Sequence, residues 1–135
     1  MKPLKPIVRV NEVMKSEVDI VDGMLTVADA LKSMKNLDTR TFVVDKRHPD
    51  DEYGVVMFRD IAERVLAPNL SPERINIYEI MSKPVISVDP QMDVRYCIKL
   101  FDRFGISRAP VIENGQIVGL VSYTDIVLKS VMLQS

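Results

Sequence analysis

The stretch GLVSYTDIV, residues 119–127, has an earlier counterpart in GVVMFRDIA, residues 54–62. Both write glycine, an aliphatic pair, an aromatic two residues ahead of an aspartate, and then isoleucine. One such stretch describes any strand that runs into a helix. Two in register describe an internal duplication, which sets the architecture before any local reading. Extended outward, VNEVMKSEVDIVDG (10–23) lies over IYEIMSKPVISVDP (77–90), sharing Glu12 with Glu79, Met14 with Met81, Val18 with Val85 and Asp22 with Asp89. VADALKSM then faces VRYCIKLF, and TRTFVVD faces SRAPVIE after a one-residue gap. The remaining difference is a longer loop in the first copy, KRHPDDEY against NGQIV, and loops tolerate such insertions. Between the copies, APNLSPERI carries Pro68 and Pro72, which break regular structure. The repeats are therefore expected at 7–67 and 77–133, joined by a linker at 68–76.

Each copy reads as strand, helix, strand, strand, helix. Val18 to Val21 and Val85 to Val88 are short β-branched runs, each followed by an aspartate. Val27, Ala30, Leu31 and Met34 in the first copy, and Val94, Cys97, Ile98 and Phe101 in the second, recur at i, i+3, i+4, i+7, the spacing of one helix face. Thr26 and Asp29 have the form of an N-terminal capping pair. APVIENGQIVGLVS reads as a hairpin, because Asn114-Gly115 suits the two positive φ values of a type I′ turn. The closing helices are expected to start near Arg59 and Thr124. One such copy has a sheet face to bury and too few helices to cover it. The expected solution is an α+β fold in which two copies pack sheet to sheet about a pseudo-twofold axis, leaving two related clefts.

Composition narrows the function. With 135 residues, 47% hydrophobic and 27% charged, the chain is within the globular range and long enough for a core without staples. The 18 Lys and Arg nearly balance the 19 Asp and Glu, so no global field attracts nucleic acid or an anionic membrane. No tryptophan is present and Phe and Tyr number four each, a poor supply for base stacking. One cysteine excludes an internal disulfide, and one histidine leaves no Cys/His set for a metal. MKPLKPIVRV lacks an apolar core of signal length, and no run of about eighteen apolar residues occurs. A cytoplasmic location is expected. Walker loop, nucleophile elbow and zinc motif are absent, so catalysis is not expected.

The EVM and EIM starts, PVISVDP, ISRAPVIENGQIVGLVSYTDI and the duplicated aspartate together resemble tandem cystathionine β-synthase (CBS) domains, paired as a Bateman module. The resemblance spans about residues 7–133. It implies a non-catalytic regulatory module that binds an adenosine nucleotide such as AMP, ADP or ATP in the clefts between repeats, with no cofactor required. Output would act in trans on an effector protein. A constitutive scaffold module with vestigial clefts is the alternative.

A ribose diol suits a carboxylate, and a phosphate suits cations and the free N–H groups of a helix start. The family's G-x-x-S/T-x-x-D pattern puts Ser122 and Asp125 at ligand contacts, with Thr124 between them, and Arg108 at the position that holds phosphate. Pro84, Val85 and Ile86 would border the adenine. In the first copy Asp60 and Arg40 are retained, but Met57 replaces the Ser or Thr and Glu17 stands where the second copy has Pro84. Arg59 next to Asp60 would restore some phosphate affinity, so one good and one weakened site are expected. For Asp125, Ser122 and Thr124 ordinary helix capping remains the competing reading, and for Arg40 and Arg108 a solvated edge-strand charge. Cys97 belongs to the core stripe. The last helix, DIVLKSVMLQS, is apolar on more than one face, and the surplus implies a homodimer.

Overall fold

The structure is a computed structural model that describes residues 7–83 and 85–132. In chain order the elements are α1 (Val10–Val13), β1 (Asp19–Val21), α2 (Val27–Ser33), β2 (Thr41–Val44), β3 (Gly54–Met57), α3 (Phe58–Ile61, continued as a π turn over Ala62–Leu66), α4 (Val94–Phe104), β4 (Arg108–Glu113), β5 (Gln116–Ser122) and α5 (Tyr123–Met132). Single 3-10 turns span Leu37–Thr39 and Ile77–Glu79. The fold is α+β, with a three-stranded sheet β1-β2-β3 and a two-stranded sheet β4-β5.

The chain forms two compact units whose boundaries differ from those of the repeats. One comprises Val18–Val85, the other Met1–Glu17 with Ile86–Ser135. The leading segment of each repeat therefore belongs to the unit built by the body of the other. In the Val18–Val85 unit, Ile77 and Ile80 of the second repeat are buried with Val21, Val27, Phe42, Val56 and Val65 of the first. In the other unit, Val8, Val10 and Val13 of the first repeat are buried with Val94, Cys97, Phe101, Val111 and Val121 of the second. The chain 68–76 also has backbone work within its unit. Pro72 and Ile75 offer their carbonyls to the N–H groups of Ala28 and Val27, two of the donors that a helix start leaves unsatisfied. Val8 does the same for Val94 in the other unit.

The glycine of the duplicated motif is explained by this exchange. Lys15 bridges Leu120, and Ser82 bridges Val55, in antiparallel pairs that carry the leading segment alongside β5 and β3. At Gly119 a Cβ would stand 2.6 Å from the Lys15 carbonyl oxygen and 2.7 Å from Met14 Sδ, and at Gly54 it would stand 2.8 Å from Met81 Sδ. At Gly119 the obstacle is backbone, so only a residue without a side chain admits the crossing segment there; at Gly54 it is the end of a flexible side chain.

Strand register corrects the one-residue gap placed between TRTFVVD and SRAPVIE. Val21 pairs with Val44 in parallel, and Val88 with Val111. Thr41 lies opposite Met57, and Arg108 opposite Ser122. Thr41, not Arg40, thus holds the strand position of Arg108, and β1 and β2 match the second repeat without a gap. The extra residues lie in the connection 45–53, whose counterpart closes through the Asn114-Gly115 turn. There φ is 52° at Asn114 and 75° at Gly115, as a type I′ turn requires.

Two further departures have local causes. Val85–Val88 does not form the expected strand; only Val88 bridges Val111. The Val88 N–H donates to Pro110 O and the Ile112 N–H to Val88 O, but the next rung would need an N–H from Pro110, which has none. Helix α2 stops at Ser33, whereas α4 runs to Phe104. Asp19, only 9% exposed, accepts the N–H groups of Lys35 and Asn36, each at 2.9 Å, and so draws the chain out of its helix. Ile86 stands at the matching place and offers no acceptor. The Thr26 cap forms as expected, accepting the Asp29 N–H at 3.1 Å. Cys97 is fully buried, which pushes its thiol up to about 11.

Candidate functional site

The end of the β4-β5 hairpin gathers Arg108, Ser122 and Asp125 of the second repeat. Antiparallel register sets Arg108 across from Ser122, the last residue of β5. The chain then turns directly into α5, so Asp125 falls in its first turn. The Ser122 hydroxyl donates to Asp125 Oδ2 at 2.9 Å, the Ser122 N–H to the same oxygen at 3.2 Å, and the Asp125 N–H to the Ser122 hydroxyl at 3.2 Å. This is a reciprocal cap of the kind that satisfies helix-start donors. It gives the repeated aspartate a structural duty.

Asp125 is 5% exposed, and a buried carboxylate needs a partner. The partner is Lys15, whose Nζ lies 2.6 Å from Oδ1. The bridge to Leu120 fixes the Lys15 backbone beside β5, which aims the ammonium at the start of α5. No sequence signal paired these residues, which are 110 positions apart. The repeat alignment could only have flagged that Lys15 stands where the second copy has Ser82. Arg108 is half-buried at the start of β4, Thr124 is exposed, and Ile86 is 36% exposed.

The first-repeat motif is built differently. Asp60 Oδ2 accepts the Met57 N–H at 2.8 Å, so the cap is kept without a hydroxyl. Ser82 replaces Lys15 at the matching bridge, and Asp60 gains no ion pair from it. Arg59 is exposed and donates through Nε to Glu63 Oε1 at 2.9 Å; this bond and the Glu63 charge raise its pKa. Arg40 ends the Leu37–Thr39 turn with φ 52°, exposed, its carbonyl accepting the Phe58 N–H at 3.0 Å. Thr41, in Arg108's place, is fully buried, and its hydroxyl donates to Thr39 O at 2.8 Å. Val85 is half-buried, and Pro84 lies outside the described residues.

A different concavity lies in the same unit, at the far end of β1 and β2. It has a volume of about 260 Å³ and is lined by residues that follow the two strands and by the leading segment of the second repeat. Over it, Lys83 Nζ binds Asp51 Oδ1 at 2.6 Å, and Asp51 Oδ2 accepts the Arg47 N–H at 2.9 Å. The Lys83 bond, then these backbone bonds, hold the Asp51 carboxyl well below the usual carboxylate range.

An internally duplicated α+β chain, in which a glycine admits an exchanged leading segment and an aspartate caps the closing helix, is the class defined by fold and motif. The chain belongs to the CBS domain family, whose model matches residues 10–67 and 77–131. CBS domain pairs are generally regulatory, ligand-binding modules. A hexameric CBS-CP12 protein from bloom-forming cyanobacteria is 38% identical, with a TM-score of 0.88 over 96% of this chain and 71% of that one. The CBS domain pair of protein MJ0100, solved in complex with 5′-methylthioadenosine and S-adenosyl-L-methionine, is 24% identical with a TM-score of 0.76, over 90% of this chain and 94% of that one. An uncharacterized protein of Methanopyrus kandleri, MK0525, is 34% identical over 85 residues, 62% of this chain and 43% of that one. The chain spans between 43% and 62% of the length of the first curated relatives it matches. Among the described residues no helix is long and apolar enough to cross a membrane.

Proposed function

We propose that the chain is a non-catalytic regulatory module that binds an adenosine nucleotide at the Arg108–Ser122–Asp125 end of the β4-β5 hairpin. The observation that supports it is the convergence there of two cations, Lys15 and Arg108, a hydroxyl and a carboxylate at the start of a ten-residue helix. In the bound state Lys15 leaves Asp125 Oδ1 for the phosphate, joined by Arg108, and the freed oxygen accepts the ribose diol. Thr124 at the helix start adds a hydroxyl, and Ile86 would border the base. Asp60, Arg40 and Arg59 would serve a weaker site in the first repeat, where Met57 and the buried Thr41 supply no phosphate contact. The adenosine ligands of the MJ0100 pair favour this ligand class.

The nucleotide would bind one arrangement of the module better than another, and an effector protein would read the difference. A homodimer would form through α5, where Val127, Leu128, Val131 and Met132 are each 57–70% exposed; Leu133 lies outside the described residues. Light scattering at micromolar concentration would give a monomer mass if α5 were not an interface.

Calorimetry with AMP and 2′-deoxy-AMP tests the site. A charge-assisted bond is worth about 1.5–3 kcal/mol, so the deoxy analogue should bind roughly ten- to a hundredfold more weakly. Asp125→Asn should remove most of that preference, and Arg108→Ala should weaken AMP, ADP and ATP while sparing adenosine. Equal binding of AMP and its 2′-deoxy analogue by the wild type would leave Asp125 a cap only.

The scaffold reading is favoured by one observation: both carboxylate oxygens of Asp125 already accept protein donors. A thermal-shift screen separates the two, since a nucleotide at a hundredfold excess over Kd adds about 2.7 kcal/mol.

A further inference from the structure

The concavity of the Val18–Val85 unit lies at the opposite end of β2 from the motif residues Thr41 and Met57, and the second copy carries different residues at several of the matching places. Matching places there hold Pro90 for Gly23 and Asn11 for Tyr78, and the two-residue Asn114-Gly115 turn replaces the connection 45–53. Gly23 is itself tightly fitted, since a Cβ would stand 3.2 Å from Tyr78 Cβ and 3.3 Å from Val44 Cγ1. The cavity's lining is thus particular to this copy, assembled at the carboxyl ends of two parallel strands, where crevices commonly take ligands.

Its lining divides into three chemistries. Met24, Val44, Tyr78 and Met81 supply the apolar part of the lining. Asp22 and Asp45 give an acidic wall, because they follow β1 and β2 directly and the Asp45 N–H donates to Val21 O at 2.8 Å. Each uses Oδ1 for a local backbone N–H, of Met24 and Lys46 respectively, both at 2.8 Å. No donor among the described residues reaches the other oxygen of either. Arg47, exposed, also lines the cavity, and its guanidinium makes no hydrogen bond or ion pair among the described residues. Lys83 is already held by Asp51, so this ion pair pins the connection 45–53 over the cavity and leaves Arg47 as the cation available to a ligand.

Two neighbouring carboxylates call for an ammonium, a planar guanidinium calls for a carboxylate, and the apolar share of the lining calls for an apolar body. We propose that this cavity binds a small zwitterion of the apolar α-amino-acid class, with its ammonium on Asp22 and Asp45, its carboxylate on Arg47 and its side chain over Tyr78 and the methionines. A cavity of about 260 Å³ has room for a ligand the size of leucine or phenylalanine. The site is independent of the nucleotide reading, and neither depends on the other's success.

The test is calorimetry and thermal shift with L-leucine and L-phenylalanine beside two half-ligands, phenethylamine and 3-phenylpropanoate. The amino acid is expected to saturate and raise Tm, with each half-ligand at least about tenfold weaker. Arg47→Ala should weaken the amino acid and the acid by about tenfold or more and leave the amine unchanged; Asp45→Asn should weaken the amino acid and the amine and leave the acid unchanged. Both positions are exposed, and far-UV circular dichroism checks that each variant folds. Absence of binding by every apolar amino acid at millimolar concentration overturns the proposal. So does a half-ligand that matches the zwitterion, since the cavity would then read a single charge. Nucleotide binding is scored separately by titrating AMP against the Arg47→Ala protein, where no change is expected.

Discussion

Replacing Gly119 by alanine adds one carbon at a crowded backbone position. The new Cβ would stand 2.6 Å from the Lys15 carbonyl oxygen and 2.7 Å from Met14 Sδ. The thioether can rotate away, but the carbonyl is held: the Leu120 N–H donates to it at 2.8 Å, and Lys15 N–H donates to Leu120 O at 2.8 Å. Accommodating the methyl therefore means moving the leading segment off β5. Overpacking of this kind costs about 1–3 kcal/mol, and weakening the two bridge hydrogen bonds adds about 1 kcal/mol each. Lower unfolded-state entropy returns about 0.4–1 kcal/mol. The net expectation is a loss of about 2–4 kcal/mol, or a Tm lower by roughly 6–16 °C for a chain of this size. Gly54→Ala supplies the control, because its nearest obstacle is the flexible Met81 Sδ at 2.8 Å, while the Ser82 carbonyl is 3.3 Å away. It should cost about 1 kcal/mol. Met14→Ala added to Gly119→Ala should recover little, since the carbonyl remains. Urea unfolding of the four proteins measures this. A Gly119→Ala loss no larger than that of Gly54→Ala would refute the claim that the exchanged segment dictates the glycine.

Other outcomes follow from the same structure. Lys15→Met leaves the buried Asp125 without its cation and should cost about 1.5–3 kcal/mol, with Asp125→Asn recovering part of it in a double-mutant cycle by urea unfolding. Asp51 has a folded pKa below its ordinary 3.8, so its contribution is present above that value and is lost as pH falls below it; Lys83→Gln should flatten this acid limb in a pH series of unfolding curves. Cys97 titrates near 11 when folded and near 9.0 otherwise, so stability should be intact below pH 9 and fall as pH rises toward 11. The thiol should react with a disulfide reagent at pH 8 only after denaturant is added.

How much could be read beforehand differs from element to element. The duplication, the Asn114-Gly115 hairpin, the Thr26 cap and the core faces of α2 and α4 are local patterns, set by residues near one another in the chain. They followed from spacing and turn chemistry alone. The gap placed before TRTFVVD did not survive, because the shared arginine of TRT and SRA outweighed an equivalence that only hydrogen-bond register reveals. The early end of α2 depends on Asp19, sixteen residues back, reaching Lys35 and Asn36.

Sequence by itself determined the α+β class and the duplicated motif, which rest on periodicity and repetition, and pointed to the family through the resemblance of those motifs. Tertiary structure alone decided where those residues act. It placed each leading segment in the unit built by the other repeat, made the motif glycine a matter of passing clearance, and gave Asp125 its Lys15 while giving Asp60 no ion pair among the described residues. The physical reason is that a strand-to-strand approach of a few ångströms and the partner of a buried charge are set by which distant segments close on each other, and no pattern within one stretch of chain encodes that choice.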